Sequence, residues 1–392
     1  MRKYIKIIDI LIITIFLILL KVPFTVAFFV AFIVFLGFYA FRVYDNENMI
    51  NYNSNLIRNA IGTIIGYVGT LIFYFALENF INRYMLIYLF IFNTFALSLL
   101  HLIEYKIYTK HANIKKFLIL GDSKGIENIL SEIEKKTMNK IKFVDTEDYD
   151  NLLIVDPKIK RNGENVEYLP NLCEYYLKRI PIEVLSKFSE YYEVTLNNPL
   201  ESPSKRIIDI IISVVLMILF SPFMLIISFF ILIEDGLPII FEQKRIGKDE
   251  KSFKMIKFRS LKEAKIDKNN PNGEIEKRVL KIGKFIRFTR LDESLQFINV
   301  LKGDMSIVGS RPEMEEFHLK MNGKIPFYSK RLKLKPGITG WAQINYKHTS
   351  TIKDYIKKTE YDLYYIKNRN LMLDLQIMLK TFETMIGMKG AR

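Results

Sequence analysis

Four apolar runs fill the first quarter of the chain, from Tyr4 to Leu20, Val22 to Phe41, Ala60 to Leu77 and Tyr84 to Ile103. Each approaches the ~20 residues that a membrane-crossing helix needs. The pattern predicts a transmembrane four-helix bundle over residues 1–110, with a tight turn at Lys21-Val22-Pro23 between the first two runs. Arg2, Lys3, Lys6, Arg42, Arg58, Lys106 and Lys110 fall on one side of this pattern, and Lys21, Glu78 and Arg83 on the other. Positive charge favours the inside, so both ends of the bundle are expected on the cytoplasmic face. Asp9 interrupts the first run and is expected at the interface or paired with a neighbour. No small-residue cleavage site follows that run, so it reads as an anchor rather than a removed signal.

Residues 111–200 change character. Lys116–Leu120 reads as a buried strand, Gly121-Asp-Ser-Lys-Gly125 as a turn, Ile126–Lys135 as a helix and Leu152–Val155 as a second strand. This order predicts a small, degenerate Rossmann-like α/β domain. With only Gly121 and Gly125 present, the glycine fingerprint is incomplete, which favours packing or oligomerisation over dinucleotide binding. Pro199 and Pro203 mark the linker out of it.

A fifth apolar run spans Ile207 to Ile233 and is interrupted at Ser221-Pro222. Proline kinks a helix, and serine can satisfy a freed carbonyl. Two arrangements fit: a re-entrant helix over 205–234 that bends at Ser221-Pro222, or a fifth crossing with a proline kink. The region that follows is basic, which argues against carrying it to the outside. Residues 201–392 otherwise read as mixed α/β. Within them Val279, Ile282, Phe285 and Ile286 share a helical face opposite Lys277, Lys281, Lys284 and Arg287, a pattern suited to the headgroup plane or to an ordinary surface helix. Leu371, Leu375, Met378, Phe382 and Met385 line one side of a last helix.

Composition supports a membrane-associated chain. Half of its 392 residues are hydrophobic while a quarter are charged, and the net charge is +15. That balance suits anionic lipid or phosphorylated substrates. Nucleic acid is not the expected partner, because the basic excess accompanies apolar segments. Cys173 is the only cysteine, which excludes an internal disulfide and a cysteine-rich metal site. The four histidines show no metal-ligand spacing.

The candidate chemistry centres on Asp292-Glu293 in Arg287-Phe-Thr-Arg-Leu-Asp-Glu-Ser-Leu-Gln296. Lys281, Lys284, Arg287, Arg290, Lys302 and Arg311 lie near the pair in sequence, and cations keep a carboxylate ionised. An ionised aspartate can attack phosphorus, and the same cations can hold a diphosphate. An isolated Asp-Glu pair is more often a helix cap, so the surrounding motifs decide. They are Glu242-Gln-Lys-Arg-Ile-Gly247, Phe253-Lys-Met-Ile-Lys-Phe-Arg-Ser260, Asn299–Ser306, Val308-Gly-Ser-Arg-Pro-Glu313 and Leu334-Lys-Pro-Gly-Ile-Thr-Gly-Trp-Ala-Gln343.

With Lys205-Arg206, Asp209 and the Ser221-Pro222 bend, these motifs make residues 203–392 resemble the bacterial sugar transferases, the monotopic polyprenyl-phosphate phosphoglycosyltransferases. The helices and the middle domain resemble the long-form members. Ser310 and Leu295 stand where the family often carries proline. The resemblance implies a re-entrant helix and a reaction in which Asp292 attacks the β-phosphate of a UDP-sugar. UMP would leave, and polyprenyl phosphate would take the phosphosugar from the enzyme. It implies Glu293 as an orienting group or base, and Mg²⁺ held in part by Asp292. Arg311 is the expected phosphate clamp, with Lys257, Arg259 and Arg290 as further phosphate-binding candidates. The implied place is the cytoplasmic face of the bacterial inner membrane, and a homodimer is compatible. Two alternatives stay open, direct transfer in a ternary complex and a membrane scaffold for polysaccharide machinery. Trp341 suits either an interfacial or a core position.

Overall fold

The computed structural model describes the chain except residues 1, 42, 46–47, 50–51, 72–81, 112–113, 147, 198, 200, 263–277, 347–350 and 386–392. Arg42, Glu78, Lys277 and His348 lie outside the described residues, as do the end of the 60–77 run and the side chains of Arg2, Lys3, Lys110, Phe382 and Met385. The chain divides into two compact units, Met1–Asn113 and Ile114–Arg392.

The first unit is helical. Its elements are α1 (Arg2–Leu19), α2 (Phe24–Ala40), α3 (Tyr52–Leu71) and α4 (Arg83–Ile91), the last running through a π-helical turn (Phe92–Leu97) into α5 (Ser98–His111). Ile13, Leu17, Val30, Val34, Phe38 and Leu97 form its core. Helices α2 and α3 meet backbone to backbone: a Cβ on Gly37 would stand 2.1 Å from the Gly62 carbonyl oxygen. Small residues permit such a close backbone approach. Asp9 is buried and paired, taking a 2.8 Å bond from the Tyr44 hydroxyl and lying 2.9 Å from His101 Nε2. Among the described residues, Arg83–Ile107 and Pro203–Asp235 are each long and apolar enough to cross a membrane.

The second unit is mixed α/β. Strands β1 (Lys115–Leu120), β2 (Ile141–Val144), β3 (Asn151–Ile154) and β4 (Val166–Tyr168) form one parallel sheet in the order β2-β1-β3-β4. Helix α6 (Glu127–Lys136) connects β1 to β2, and α7 (Leu169–Leu177), α8 (Ile182–Lys187) and α9 (Ser189–Asn197) follow. The long helix α10 (Pro203–Asp235) leads to an antiparallel hairpin of β5 (Ile240–Ile246) and β6 (Ser252–Phe258). Then come α11 (Lys281–Phe288), α12 (Gln296–Lys302), β7 (Ser306–Val308), α13 (Glu315–Asn322), β8 (Gly337–Thr339), α14 (Trp341–Asn345), α15 (Ile352–Asn368) and α16 (Leu371–Met385). Phe117, Leu153 and Leu172 from the sheet segment share one core with Val300, Met305, Leu363 and Ile377. Trp341 belongs to that core: it donates Nε1–H to the Lys178 carbonyl at 2.9 Å and stacks on Tyr364.

Helix α10 cannot run straight. Near its start Arg206 donates to the Val300 and Leu301 carbonyls, and Asp209 accepts from Ser306 Oγ and Ile307 N. Near its end Ile227 and Ile231 join a cluster with Phe258, Leu280, Ile286 and Leu295. Glu234 there accepts from the Lys281 and Ile282 amides. On a straight axis Arg206 and Ile227 would stand roughly 31 Å apart, whereas Leu295 and Val300 bracket less than two helical turns. Pro222 lies between the docked ends, and Ser221 Oγ bonds the Ile218 carbonyl at 2.7 Å. The middle of the helix projects apolar side chains outward, Ile218 at 68% exposure and Leu225 at 73%. Helix α11 buries Ile286 but leaves Phe285 and Phe288 exposed, so Phe285 parts from the face it was expected to share.

Buried charges join the sheet segment to α15. Arg179 donates to Glu360 at 2.5 Å, and the same carboxylate accepts from the Ile182 amide. Burial pushes the Glu360 carboxyl up to about 7, against the pull of Arg179 and Lys357. The folded chain therefore keeps a proton that the unfolded chain gives up from about pH 4.5. This contribution to stability is complete below that value and is lost as pH rises through 7. Glu360→Gln cannot ionise, so its melting temperature should depend less on pH between 5 and 8 than the wild type's, by a few degrees. Equal slopes in thermal melts of the two proteins would contradict this assignment.

Candidate functional site

The site gathers where the β5–β6 hairpin, the turn before α12 and the loop after β7 meet. Asp292 and Glu293 sit on a single 3₁₀ turn, Leu291–Glu293, placed between α11 and α12. Arg290 opens that turn in the left-handed region, with φ 61° and ψ 14°. A non-glycine residue there carries strain of about 1–2 kcal/mol, held in place here because the turn is closed by the Glu293 amide on the Arg290 carbonyl. Asp292 is 8% exposed, and its Oδ1 is shielded from solvent with no hydrogen-bond partner. Glu293 Oε1 lies 3.4 Å from Arg311 Nη2 and 3.8 Å from Arg290 Nη1.

Burial and the neighbouring Glu293 raise the Asp292 carboxyl above its ordinary value, against Lys257, Arg290 and Arg287. The cations alone would have lowered it, so desolvation decides the direction. Burial also lowers the Lys257 ammonium, opposed by Asp292 and Glu293. Glu293 raises the Arg311 guanidinium against burial. Arg311, Lys257 and Arg290 thus share one electrostatic neighbourhood with the acidic pair.

Arg311 is held from behind. Arg331 is buried, bonds both Asp362 and the Arg311 carbonyl, and receives Ser310 Oγ on its own carbonyl. The strand pairing of β7 with β8 fixes the loop that carries Arg311. Gly309 permits this: a Cβ there would stand 2.5 Å from the Lys335 carbonyl oxygen. Beside it Glu313 pairs with Lys358 of α15.

Not every expected residue arrives. Arg259 is buried against the end of α10, donating to the Asp235 and Gly236 carbonyls and pairing with the Asp235 carboxylate. It fastens the end of α10. Lys302 lies in the electrostatic neighbourhood of Glu242. Arg245 enters unannounced. It bonds the Pro312 carbonyl and Gln243, and its charge is felt by Lys257. The hairpin register pairs Phe241 with Lys257 and Arg245 with Phe253, which puts Arg245 and Lys257 on one face. Alternation along Glu242–Gly247 was the available signal. Ser221 and Pro222 lie at the middle of α10, where Ser221 Oγ bonds the Ile218 carbonyl.

A family model described as bacterial sugar transferase matches residues 200–388. Among curated relatives, the UDP-N-acetylgalactosamine-undecaprenyl-phosphate N-acetylgalactosaminephosphotransferase of Aeromonas hydrophila is 40% identical over 236 residues, covering 57% of this chain and 55% of that protein. The UDP-glucose:undecaprenyl-phosphate glucose-1-phosphate transferase of Escherichia coli K12 is 41% identical over 180 residues, 45% of this chain and 39% of that one. An uncharacterized sugar transferase of Bacillus subtilis, EpsL, is 34% identical over 190 residues, which are 47% of this chain but 89% of EpsL. The chain belongs to the bacterial sugar transferase family. It spans about half or less of the length of the Aeromonas and E. coli relatives.

The strained turn gives a direct test. Arg290→Gly removes the backbone penalty along with the side chain, and Arg290→Ala removes only the side chain. The glycine variant should be the more stable of the two by about 1 kcal/mol, read as a higher melting temperature in detergent. Equal melting would mean that the backbone relaxes away from the left-handed conformation.

Proposed function

We propose that this chain transfers a sugar 1-phosphate from a UDP-sugar to polyprenyl phosphate at the cytoplasmic face of the bacterial inner membrane, releasing UMP. The observation that carries this reading is Asp292, whose shielded and unpartnered oxygen stands among Lys257, Arg290 and Arg311. The names of the relatives in this family support the same substrate class.

The chemistry follows from the arrangement. Asp292 attacks the phosphorus that bears the sugar, the bridging P–O bond to the uridylyl group breaks, and UMP departs with that electron pair. A phosphate oxygen of the lipid then attacks the same phosphorus, and the aspartyl–phosphate bond breaks to restore Asp292. Lys257 and Arg311 hold the phosphoryl oxygens, and Arg290 closes the outer side. Glu293 keeps Arg311 in place through its carboxylate and orients the attacking residue. Magnesium supplies charge neutralisation to a bound diphosphate. Among the described residues no group of three acidic, histidine or cysteine side chains is arranged to hold a metal. One free Asp292 oxygen completed by phosphate and water fits the habits of Mg²⁺.

The apolar, outward-facing middle of α10 enters one leaflet and returns, and exposed Phe285 and Phe288 with Lys284 and Arg287 lie against the headgroups. This keeps Asp292 at the depth of a lipid phosphate. The helical unit is an anchor of the same membrane, and the sheet segment serves packing rather than dinucleotide binding.

Asp292→Asn and Asp292→Ala should lower UMP release from UDP-sugar by 10³-fold or more, with folding intact. A labelled phosphosugar should be trapped on the wild type in the absence of lipid acceptor. A surviving Asp292→Asn enzyme with intersecting kinetics would point to direct transfer, and full activity of Asp292→Ala to a scaffold. Relatives named for N-acetylgalactosamine, glucose and galactose make those three UDP-sugars the first panel. For the membrane arrangement, single cysteines placed beside Lys205 and Asp235 should both react with an impermeant maleimide from the cytoplasmic side only. Labelling of the two positions from opposite sides would establish a crossing.

A further inference from the structure

A cavity of about 210 Å³ opens where the first turns of α10 meet β7, the residues before β8 and the end of α15. Neither Asp292 nor any of the cations gathered around it lines this space. Its walls carry four cations, Lys205, Arg206, Lys335 and Arg369, against two acids, Glu201 and Asp209. Both acids are engaged. Asp209 accepts from Ser306 Oγ and Ile307 N, and Glu201 pairs with Lys248 at 3.2 Å and accepts the Lys335 amide at 3.3 Å.

The cations are not all matched. Lys205 pairs with Asp374 at 2.8 Å, and Arg369 donates to the Ile366 carbonyl. Arg206 donates to the Val300 and Leu301 carbonyls, which hold α10 but bring no counter-charge. Lys335 bonds through its backbone amide, and its ammonium meets no acid among the described residues. Arg206 Nη2 and Lys335 Nζ stand 3.7 and 3.8 Å from the point where a Cβ on Gly303 would be, so both border one small space. Two cations this close repel each other unless an anion lies between them. Fastening α10 accounts for Arg206. It does not account for the lysine brought beside it.

The place of the cavity limits what that anion is. Directly beyond it α10 turns apolar and outward, with Ile207 at 58% exposure and Ile211 at 56%. The cavity thus lies at the polar root of the helix that enters the leaflet. It is smaller than the roughly 300–1,000 Å³ of pockets that enclose a whole small molecule, so it suits a phosphate and its nearest oxygens rather than a nucleotide sugar. Guanidinium and ammonium groups grip phosphate, and basic pockets beside membrane helices take acidic headgroups. We propose that this cavity holds the phosphodiester of an anionic phospholipid, with Arg206 and Lys335 on its oxygens and the acyl chains along Ile207 and Ile211. The inference rests on the membrane placement of α10 proposed above and not on the reaction at Asp292.

The test uses the full chain in phosphatidylcholine nanodiscs doped with phosphatidylglycerol. The acidic lipid should raise the melting midpoint by about 3–5 °C, saturably with its fraction. Lys335→Gln should remove most of that increment and weaken phosphatidylglycerol retention in native mass spectrometry roughly tenfold. Lys320→Gln, a matched loss of charge on the exposed side of α13, should keep both, as should Asp292→Asn. An equal loss in Lys320→Gln would reduce the effect to general charge attraction and overturn the site. Inorganic phosphate that gives the same increment in pure phosphatidylcholine nanodiscs would overturn the lipid assignment in favour of a soluble anion. No increment at all, with the cysteines beside Lys205 and Asp235 both labelled from the cytoplasmic side, would defeat this inference and leave the placement of α10 standing.

Discussion

The docking of α10 at both of its ends is the constraint on which the second unit depends. Arg206 and Asp209 fasten one end to α12 and β7, while Ile227, Ile231 and Glu234 fasten the other to α11 and the residues before α12. A straight 33-residue helix of about 50 Å could not make both attachments. The turn that carries Asp292 lies between α11 and α12, the two elements that receive those ends. The candidate site and the apolar loop of helix are therefore built from the same contacts. Loosening one end would displace the acidic pair as well as the helix.

Around that frame, charge is handled in two distinct ways. At Asp292–Glu293 the cations stay partly exposed and their partners incomplete, which suits a site that takes and releases phosphate. Behind it, the Arg331–Asp362 pair is fully buried and Lys358–Glu313 nearly so. Breaking a closed pair leaves a bare buried charge, so such pairs favour a single geometry. They face the loop that carries Arg311. The other side of α15 meets the sheet segment through Arg179 and Glu360, so that segment braces the helix that braces the loop.

Parts of the site were legible because local sequence carried them. Asp292, Glu293 and Arg290 occupy one turn, and Arg311 lies in a Gly-Ser-Arg-Pro loop whose glycine permits close backbone packing. Lys257 and Arg259 lie two residues apart on one strand and its exit, and only the fold separates them: Lys257 faces the acidic pair, and Arg259 faces the end of α10. Arg245 escaped notice because its role depends on hairpin register, which links residues twelve apart. The direction of the Asp292 shift was also hidden. Counting nearby cations predicts a lowered value, but burial, which no count of charges contains, outweighs them.

The sequence by itself determined where the apolar runs lie, the strand–turn–helix order of the middle segment, and the family, because each is written in residues close together along the chain. Tertiary structure decided what a lone polar or aromatic residue meets. Asp9 found Tyr44 and His101, and Trp341 found the Lys178 carbonyl and Tyr364 in the core. Those partners come from elements tens of residues away, and the energy of placing a polar group depends on the water and donors that folding leaves around it.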